Sequence, residues 1–324
     1  MATHKMASHF LLAAAARTLK LKDIYRMSDD EAFQAFAAIR FAETGGEAFC
    51  PDCGCCDPYF IATRRKWKCR ACGKQFSATS GTIFASRKMA FVDLLAAICI
   101  FVNAAKGISA LQLSRDLDCQ YKTAFVLAHK LREAMAKGND DVTLSGVVEV
   151  DGAYFGGHVR PENEKKDRKD RRLSENKNPD RRVVVVLRQR KGRTLPFVVK
   201  QEAEGVEIIR QRVALGTVLH ADEGTHWDNV EAAYDTFRIN HSLAYSFEGA
   251  CTNQAESYFS RLRRAVVGQH HHVSKQYLHQ YATEAAWRED HRREDNKAQH
   301  VAVLGAALHS PVSRNWKGYW QRAA

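Results

Sequence analysis

The chain has 324 residues, 45% of them hydrophobic, enough to bury the cores of two or more domains, and this excludes a disordered chain. A formal net charge of +12 points to a polyanionic partner, nucleic acid before an acidic membrane surface. No window reaches the roughly 18–20 apolar residues that span a bilayer, which excludes a membrane-spanning helix. The first element is HFLLAAAARTLKLK. It imitates a signal-peptide core, but the apolar run is brief and no small-residue cleavage site follows it. It reads as the start of an amphipathic helix in an N-terminal helical segment, 1–46. The chain is then expected in the cytoplasm, with no membrane partner and with its nine cysteines mostly reduced.

A small cysteine-rich region, 47–86, comes next. Cys50 and Cys53 form one C-x-x-C unit, and Cys69 and Cys72 form another after fifteen intervening residues. Two residues between ligands let one tight turn aim both sulfurs at a single ion, and the set matches a four-thiolate structural Zn²⁺ site. Gly54 and Gly73 follow the second cysteine of each pair, where such a turn needs positive φ. YFIATRRKWKC between the pairs reads as two short strands around a basic turn, so the predicted element is a zinc ribbon. The alternative is a pair of disulfides or uncoordinated thiols, and Cys55 and Cys56 compete as ligands. Four protein thiolates leave no open position for water, so the ribbon is not catalytic. Arg64, Arg65, Lys66, Lys68 and Arg70 line its hairpin and either touch phosphates or form a solvated face.

Residues 87–140 are helical by pattern. Phe91, Leu94, Leu95, Ile98, Phe101 and Val102 recur at helical spacing until Gly107. Ser109, three before Gln112, marks a capping-box start. In QYKTAFVLAHKLREAM, Ala124, Leu127, Ala128, Leu131 and Met135 make one apolar stripe, with Gln120, Lys122, Thr123 and Lys130 away from it. Two short helices with polar residues at the start of the second suit a helix-turn-helix that reads DNA; the bland reading is a helical connector.

From about 145 to 290 the pattern changes to strands. GVVEVDGAYFGG alternates and carries Asp151; RRVVVVLRQRKGRTLPFVVK is a hairpin turning at Lys191-Gly192; EGVEIIRQRVA is a short amphipathic helix. GTVLHADEGTHW is a strand ending at Asp222, and CTNQAESYFSRLRRAV is a helix. On that helix Tyr258, Leu262 and Val266 face the core, while Asn253, Glu256, Ser260 and Arg263 share the other side. This order of elements, with acids Asp151, Asp222 and Glu256 on them, predicts an α/β, ribonuclease-H-like catalytic domain. Carboxylates are the hard ligands that Mg²⁺ or Mn²⁺ accepts, and two such ions serve the attacking and leaving oxygens of a phosphodiester.

Taken in order, CPDC, KCRACGKQFSATSGTIF, KGISALQLSRDLDCQYKTAFVLAHKLREAM, GVVEVDGAYFGG, LHADEGTHW, TNQAESYFSRLRR and GQHHHVSKQYLHQYATEAAWR form a specific set. Over about residues 28–290 the chain resembles the DDE-type transposases of bacterial insertion sequences, in the zinc-ribbon group numbered 1595, also called ISXO-like. The resemblance implies metal-binding catalytic roles for Asp151, Asp222 and Glu256, with Asn253 as rival for the third position. It implies contact with the DNA end at Arg263, two helical turns after Glu256, with Arg264 beside it. Two positions depart from the pattern: Gly152 stands where an acid is common, and His158 where a lysine is.

The remaining stretches carry less. The charged insertion 160–182 is a solvated loop or orders on DNA. His270, His271 and His272 form a polar turn, since three consecutive side chains cannot share one helical face. His220 and His226 flank Asp222 and either position a phosphate or pack. Cys99, Cys119 and Cys251 are packing residues, Trp287, Trp316 and Trp320 core or interface anchors, and 291–324 a helical tail. The function expected is a DNA transposase, nucleoid-associated, that binds terminal repeats of double-stranded DNA. It cuts and joins strands, as a homodimer or larger assembly. The alternatives are a non-catalytic zinc-ribbon regulator, or a structure-selective nuclease of the same fold.

Overall fold

The computed structural model describes residues 10–156, 161–170, 173, 176, 178–239 and 251–321. His158 lies outside the described residues, as do 160, 171, 172, 174, 175 and 177 of the charged insertion.

The N-terminal stretch does not form the expected amphipathic helix. Its described part makes two isolated 3-10 turns, Phe10–Leu12 and Ala14–Ala16, before a short helix α1 at Leu21–Tyr25. The stretch is also interrupted at Leu19. Its N–H donates to Asn296 Oδ1 and its carbonyl accepts from Asn296 Nδ2, each at 2.8 Å. A residue whose two backbone groups are both taken by a side chain cannot join a helical ladder. Helix α2, Asp29–Arg40, starts where Ser28 and Glu31 close a reciprocal capping box. Strands β1 (Pro58–Ile61), β2 (Lys66–Cys69) and β3 (Gln75–Phe76) form an antiparallel sheet. Helices α3 (Phe91–Asn103), α4 (Ala110–Asp116) and α5 (Tyr121–Met135) follow. Then come β4 (Val147–Phe155), β5 (Arg182–Gln189), β6 (Thr194–Val199), α6 (Gly205–Arg212), β7 (Val218–Asp222) and β8 (Asp235–Ile239). Helices α7 (Asn253–Ala265), α8 (Leu278–Asp290) and α9 (Asn296–Leu308) complete the order.

Two compact units result, one made of 1–137 with 291–324 and the other of 138–290. In the first, α2 supplies aromatic rings to the small sheet. Phe33 stacks on Trp67 with centroids 5.5 Å apart, Trp67 stacks on Phe76 at 5.8 Å, and Phe41 meets Trp67 edge-on at 5.2 Å. The C-terminal segment joins this unit: α9 packs on α2, α3 and α5, and His300 Nε2 lies 3.1 Å from the Leu95 carbonyl. Trp316 is buried and stacks on His129 at 4.3 Å, whereas Trp320 stays exposed.

The second unit is a five-stranded sheet in the order β6-β5-β4-β7-β8. The β4–β5 and β5–β6 pairs are antiparallel, and the β4–β7 and β7–β8 pairs are parallel. This is the ribonuclease-H-like topology. β5 can be valine-rich because both its faces are covered. Val183, Val185 and Leu187 pack with α6, and Val184 and Val186 with α7 and α8. The same alternation divides β4: Val148 and Val150 go to the α6 face, Ala153 and Phe155 to the α7 face. Lys191 at the hairpin turn takes φ +59°. The turn after α7 is a π-helical stretch, Val266–His270, closed by His271 at φ +58°.

Candidate active site

Strand parity fixes which side chains meet. Glu149 and Asp151 project from β4 toward α7, and His220 and Asp222 project from β7 on the same face, opposite to Leu219 and Ala221. The parallel register aligns Glu149 with His220, so two positions further on Asp151 stands level with Asp222. Glu256 enters from the first turn of α7. All three acids are partly exposed, and so reachable by a ligand.

The entry of α7 is held by groups the sequence reading passed over. Glu149 is 1% exposed; its Oε2 accepts the N–H of Gln254 at 2.8 Å and of Ala255 at 3.1 Å. Its other oxygen accepts Arg190 Nε at 2.9 Å, and Arg190 also donates to the Cys251 carbonyl at 3.0 Å. His220 Nδ1 accepts the Cys251 N–H at 3.1 Å while the ring stacks on Phe237. A carboxylate at the first N–H groups of a helix meets both their unsatisfied donors and the positive end of the dipole. His220 is therefore a packing and anchoring residue, the bland side of its two readings. The sequence did hold a signal for Glu149: an acid at an inward position of an otherwise buried strand, VVEVD.

Asp151 carries the electrostatic signature of the site. Burial first, then the charges of Asp222, Glu202 and Glu256, push its pKa up to about 7, against a backbone hydrogen bond from Gly152 at 2.7 Å that pulls it down. Glu202, from the 3-10 turn Glu202–Glu204 before α6, is a fourth acid at this place, and nothing in its sequence context marked it. Burial, then Asp222, raises its pKa, and His226 and Arg181 oppose the rise. Asn253 is exposed at the start of α7. Arg263 and Arg264 are exposed on the same helix; Arg263 lies 5.7 Å from the Phe259 ring centre and Arg264 donates to the Ser260 carbonyl at 3.0 Å.

In the other unit, Cys50, Cys53, Cys69 and Cys72 have sulfurs all within 4.8 Å of one another. Among the described residues they are the group of His, Cys, Asp or Glu ligand atoms drawn that close; the three acids are not. Sγ–Sγ distances are 3.6 Å for Cys50–Cys72 and 3.5 Å for Cys53–Cys69. These are too long for disulfides, and near the roughly 3.8 Å that tetrahedral zinc imposes at about 2.3 Å per bond. Gly54 and Gly73 take φ +74° and +71°, as the knuckles require. The Cys72 N–H donates to Cys69 Sγ and, with the other thiols, lowers its pKa, while Cys53 and Cys72 are raised: without a metal the four sulfurs share protons. Cys56 instead bonds the Gly54 carbonyl and Cys55 accepts the Asp57 N–H, so neither competes for the cluster.

The basic residues fall into separate groups. Arg64 and Lys66 are exposed on the ribbon hairpin, while Arg65 pairs with Asp29 at 3.4 Å and Asp30 at 2.9 Å. Lys122 and Thr123 are exposed on the first turn of α5, where Lys122 Nζ sits 5.3 Å from the Trp320 ring centre. Lys130 is partly buried, which lowers its pKa.

With this geometry in place, the comparisons are decisive. An ISXO2-like transposase domain matches residues 143–290, and a transposase zinc-ribbon domain matches 27–75, together more than half of the chain. The chain belongs to the ISXO2-like transposases. The zinc-ribbon match begins at 27, so this transposase's α2 lies inside it. The transposase is also similar to a solved structure described as the Mos1 strand transfer complex, at 10% identity, 66% of this chain, 78% of that chain and a TM-score of 0.25. No curated protein matches it. It is a DDE-type enzyme of a DNA-binding, polynucleotidyl-transferring family. No helix among its described residues is long and apolar enough to cross a membrane.

Three outcomes follow for the transposase. Cys69→Ser should release bound zinc and raise amide exchange across residues 48–80, since a metal contributes on the order of 10 kcal/mol to so small a fold. Zinc content equal to wild type by plasma mass spectrometry would overturn this. Glu149→Ala should cost about 1.5–3 kcal/mol in urea unfolding, because Arg190, partly exposed, loses its carboxylate partner and α7 its first acceptors. Asp151 is protonated in the folded protein up to about pH 7 but ionises near 3.8 when unfolded. Metal-free stability should therefore fall as pH rises from about 4 to 7. Asp151→Asn should remove that slope and gain on the order of 2–4 kcal/mol above pH 7, measured by urea unfolding in chelator.

Proposed function

We propose that this transposase binds the terminal repeats of an insertion sequence, cuts the phosphodiester there to leave a 3′-OH, and joins that end to target DNA. The observation that carries the reading is the place of Asp151, where burial first, and then Asp222, Glu202 and Glu256, all oppose ionisation. Hard oxygen donors crowded at a partly buried site fit a divalent cation, Mg²⁺ or Mn²⁺, better than any other group. Asp151, Asp222 and Glu256 would hold it, with Asn253, one turn before Glu256, as the alternative third donor. A bound cation supplies Lewis-acid stabilisation of the charge that develops on the phosphate oxygens. In cutting, a water oxygen forms the new bond to phosphorus and the 3′ oxygen leaves. In joining, that 3′-OH attacks a target phosphodiester and the target's own 3′ oxygen leaves. No side chain forms a covalent bond to DNA in either step. Arg263 and Arg264, exposed beyond Glu256 on α7, hold the DNA end by its phosphates.

The first unit supplies recognition. The four-thiolate cluster holds a structural zinc ion and so fixes the hairpin that presents Arg64, Arg65 and Lys66 to phosphates. Helices α4 and α5 act as a helix-turn-helix. Ser109 caps α4 by accepting the Gln112 N–H at 3.1 Å, and α5 offers Lys122 and Thr123 at its exposed first turn, with Lys130 further along. In domain terms, 47–86 is the ribbon, 87–140 the helix-turn-helix region and 145–290 the catalytic domain. Both element ends must meet for joining, so the working form is a dimer or larger, at the nucleoid.

Purified protein with Mg²⁺ and a plasmid carrying the native flanking DNA tests this. Wild type should nick at the repeat ends and join strands. Asp151→Asn, Asp222→Asn and Glu256→Gln should each lower cutting by at least about 10³-fold while keeping DNA binding. A variant that cuts at near wild-type rate removes that residue from the site. Cutting of branched DNA without joining would favour the nuclease reading instead.

A further inference from the structure

Gly152, beside Asp151 on β4, has a neighbour that explains it. A Cβ placed there would meet the Glu202 side chain, at 2.7 Å from Cγ, 2.8 Å from Cδ and closer still to Oε1. The φ of Gly152 is not in the left-handed region, so space and not backbone conformation makes this position a glycine. The approach of Glu202 is itself built. Glu204 Oε1 accepts the N–H of Lys200 at 3.0 Å and of Gln201 at 2.8 Å, which fixes the turn that carries Glu202. Gly205 brings the start of α6 hard against Trp227, whose ring would lie 2.8 Å from any Cβ there. His226, folded over Gly224, has Nε2 3.9 Å from Glu202 Oε2.

Resting on the function proposed above, we infer that Glu202 is a further catalytic residue, a fourth carboxylate completing the donor set that Asp151 and Asp222 offer a divalent cation, and that Gly152 is there to admit it. Glu202 arrives from the α6 side of the sheet, whereas Glu256 arrives from the α7 side. The electrostatics agree: Glu202 raises the pKa of Asp151, and Asp222 raises that of Glu202. Arg181 and His226 offset part of the charge of Glu202, which lets a fourth acid be tolerated before a cation arrives.

The atoms that a Cβ at 152 would meet belong to the end of a flexible side chain, so Gly152→Ala should swing Glu202 away without unfolding the domain. Two independent variants therefore test one contact. Mn²⁺ titrated into the full-length, DNA-free protein by calorimetry should bind about 10-fold more weakly to Glu202→Gln and to Gly152→Ala. The double variant should bind no more weakly than either single one, since both remove the same ligand. The Mg²⁺ concentration for half-maximal nicking should rise in parallel, and wild-type melting temperatures would show that both variants fold. If Asp222→Asn loses Mn²⁺ but Glu202→Gln and Gly152→Ala bind like wild type, Glu202 is not a ligand and the proposed function stands without it. If Asp151→Asn and Asp222→Asn also bind like wild type, the cation site itself is wrong and this inference falls with it.

Discussion

The catalytic unit depends on one buried carboxylate that does no chemistry. Glu149 reaches from β4 to the first N–H groups of α7 and is held from behind by Arg190. Apolar packing between the strand bearing Asp151 and the helix bearing Glu256 tolerates sliding. A charge-assisted bond to two specific donors does not. The pairing that removes Glu149's charge from water also sets the height and rotation of α7. The position of Glu256, one turn into the helix, follows from both. Arg190 and His220 reinforce this by fixing Cys251, two residues ahead of the helix.

The same design recurs in different chemistry in the first unit. The ribbon sheet is too small to stand on its own apolar surface, and two features hold it. One is the four-sulfur cluster at its knuckles; the other is the ring stack in which Phe33 and Phe41 flank Trp67. The cluster fixes the hairpin internally, and the stack fixes it to α2. The basic hairpin is thereby held on two sides.

Crowding of like charge is the cost the active site carries. Burial first, and then three neighbouring acids, raise the pKa of Asp151, so its charged form is disfavoured while no cation is bound. Glycine at 152 belongs to the same logic. A side chain there would collide with Glu202.

Much of this could be read along the chain because local chemistry repeats at short range. The C-x-x-C pairs, the valine-rich strands, the hairpin at Lys191-Gly192 and the helical stripes of α3, α5 and α7 each need only a few neighbouring residues to specify them. The order of those elements implied the fold class, and put Asp151 and Asp222 on strands and Glu256 on a helix, where the structure has them. What the chain alone could not give depends on residues far apart in sequence. The N-terminal stretch is interrupted where Asn296 takes both backbone groups of Leu19, a partner hundreds of residues away. Glu149 looked like one polar residue in a strand until α7 was laid across it. Glu202 had no local mark at all, since its meaning comes from the empty side of Gly152 on another strand. Sequence determined the elements and their chemistry because those are short-range properties of the backbone and side chains. Tertiary structure alone decided which acids share a site, because proximity across a sheet is set by register and packing, and neither is written within any single segment.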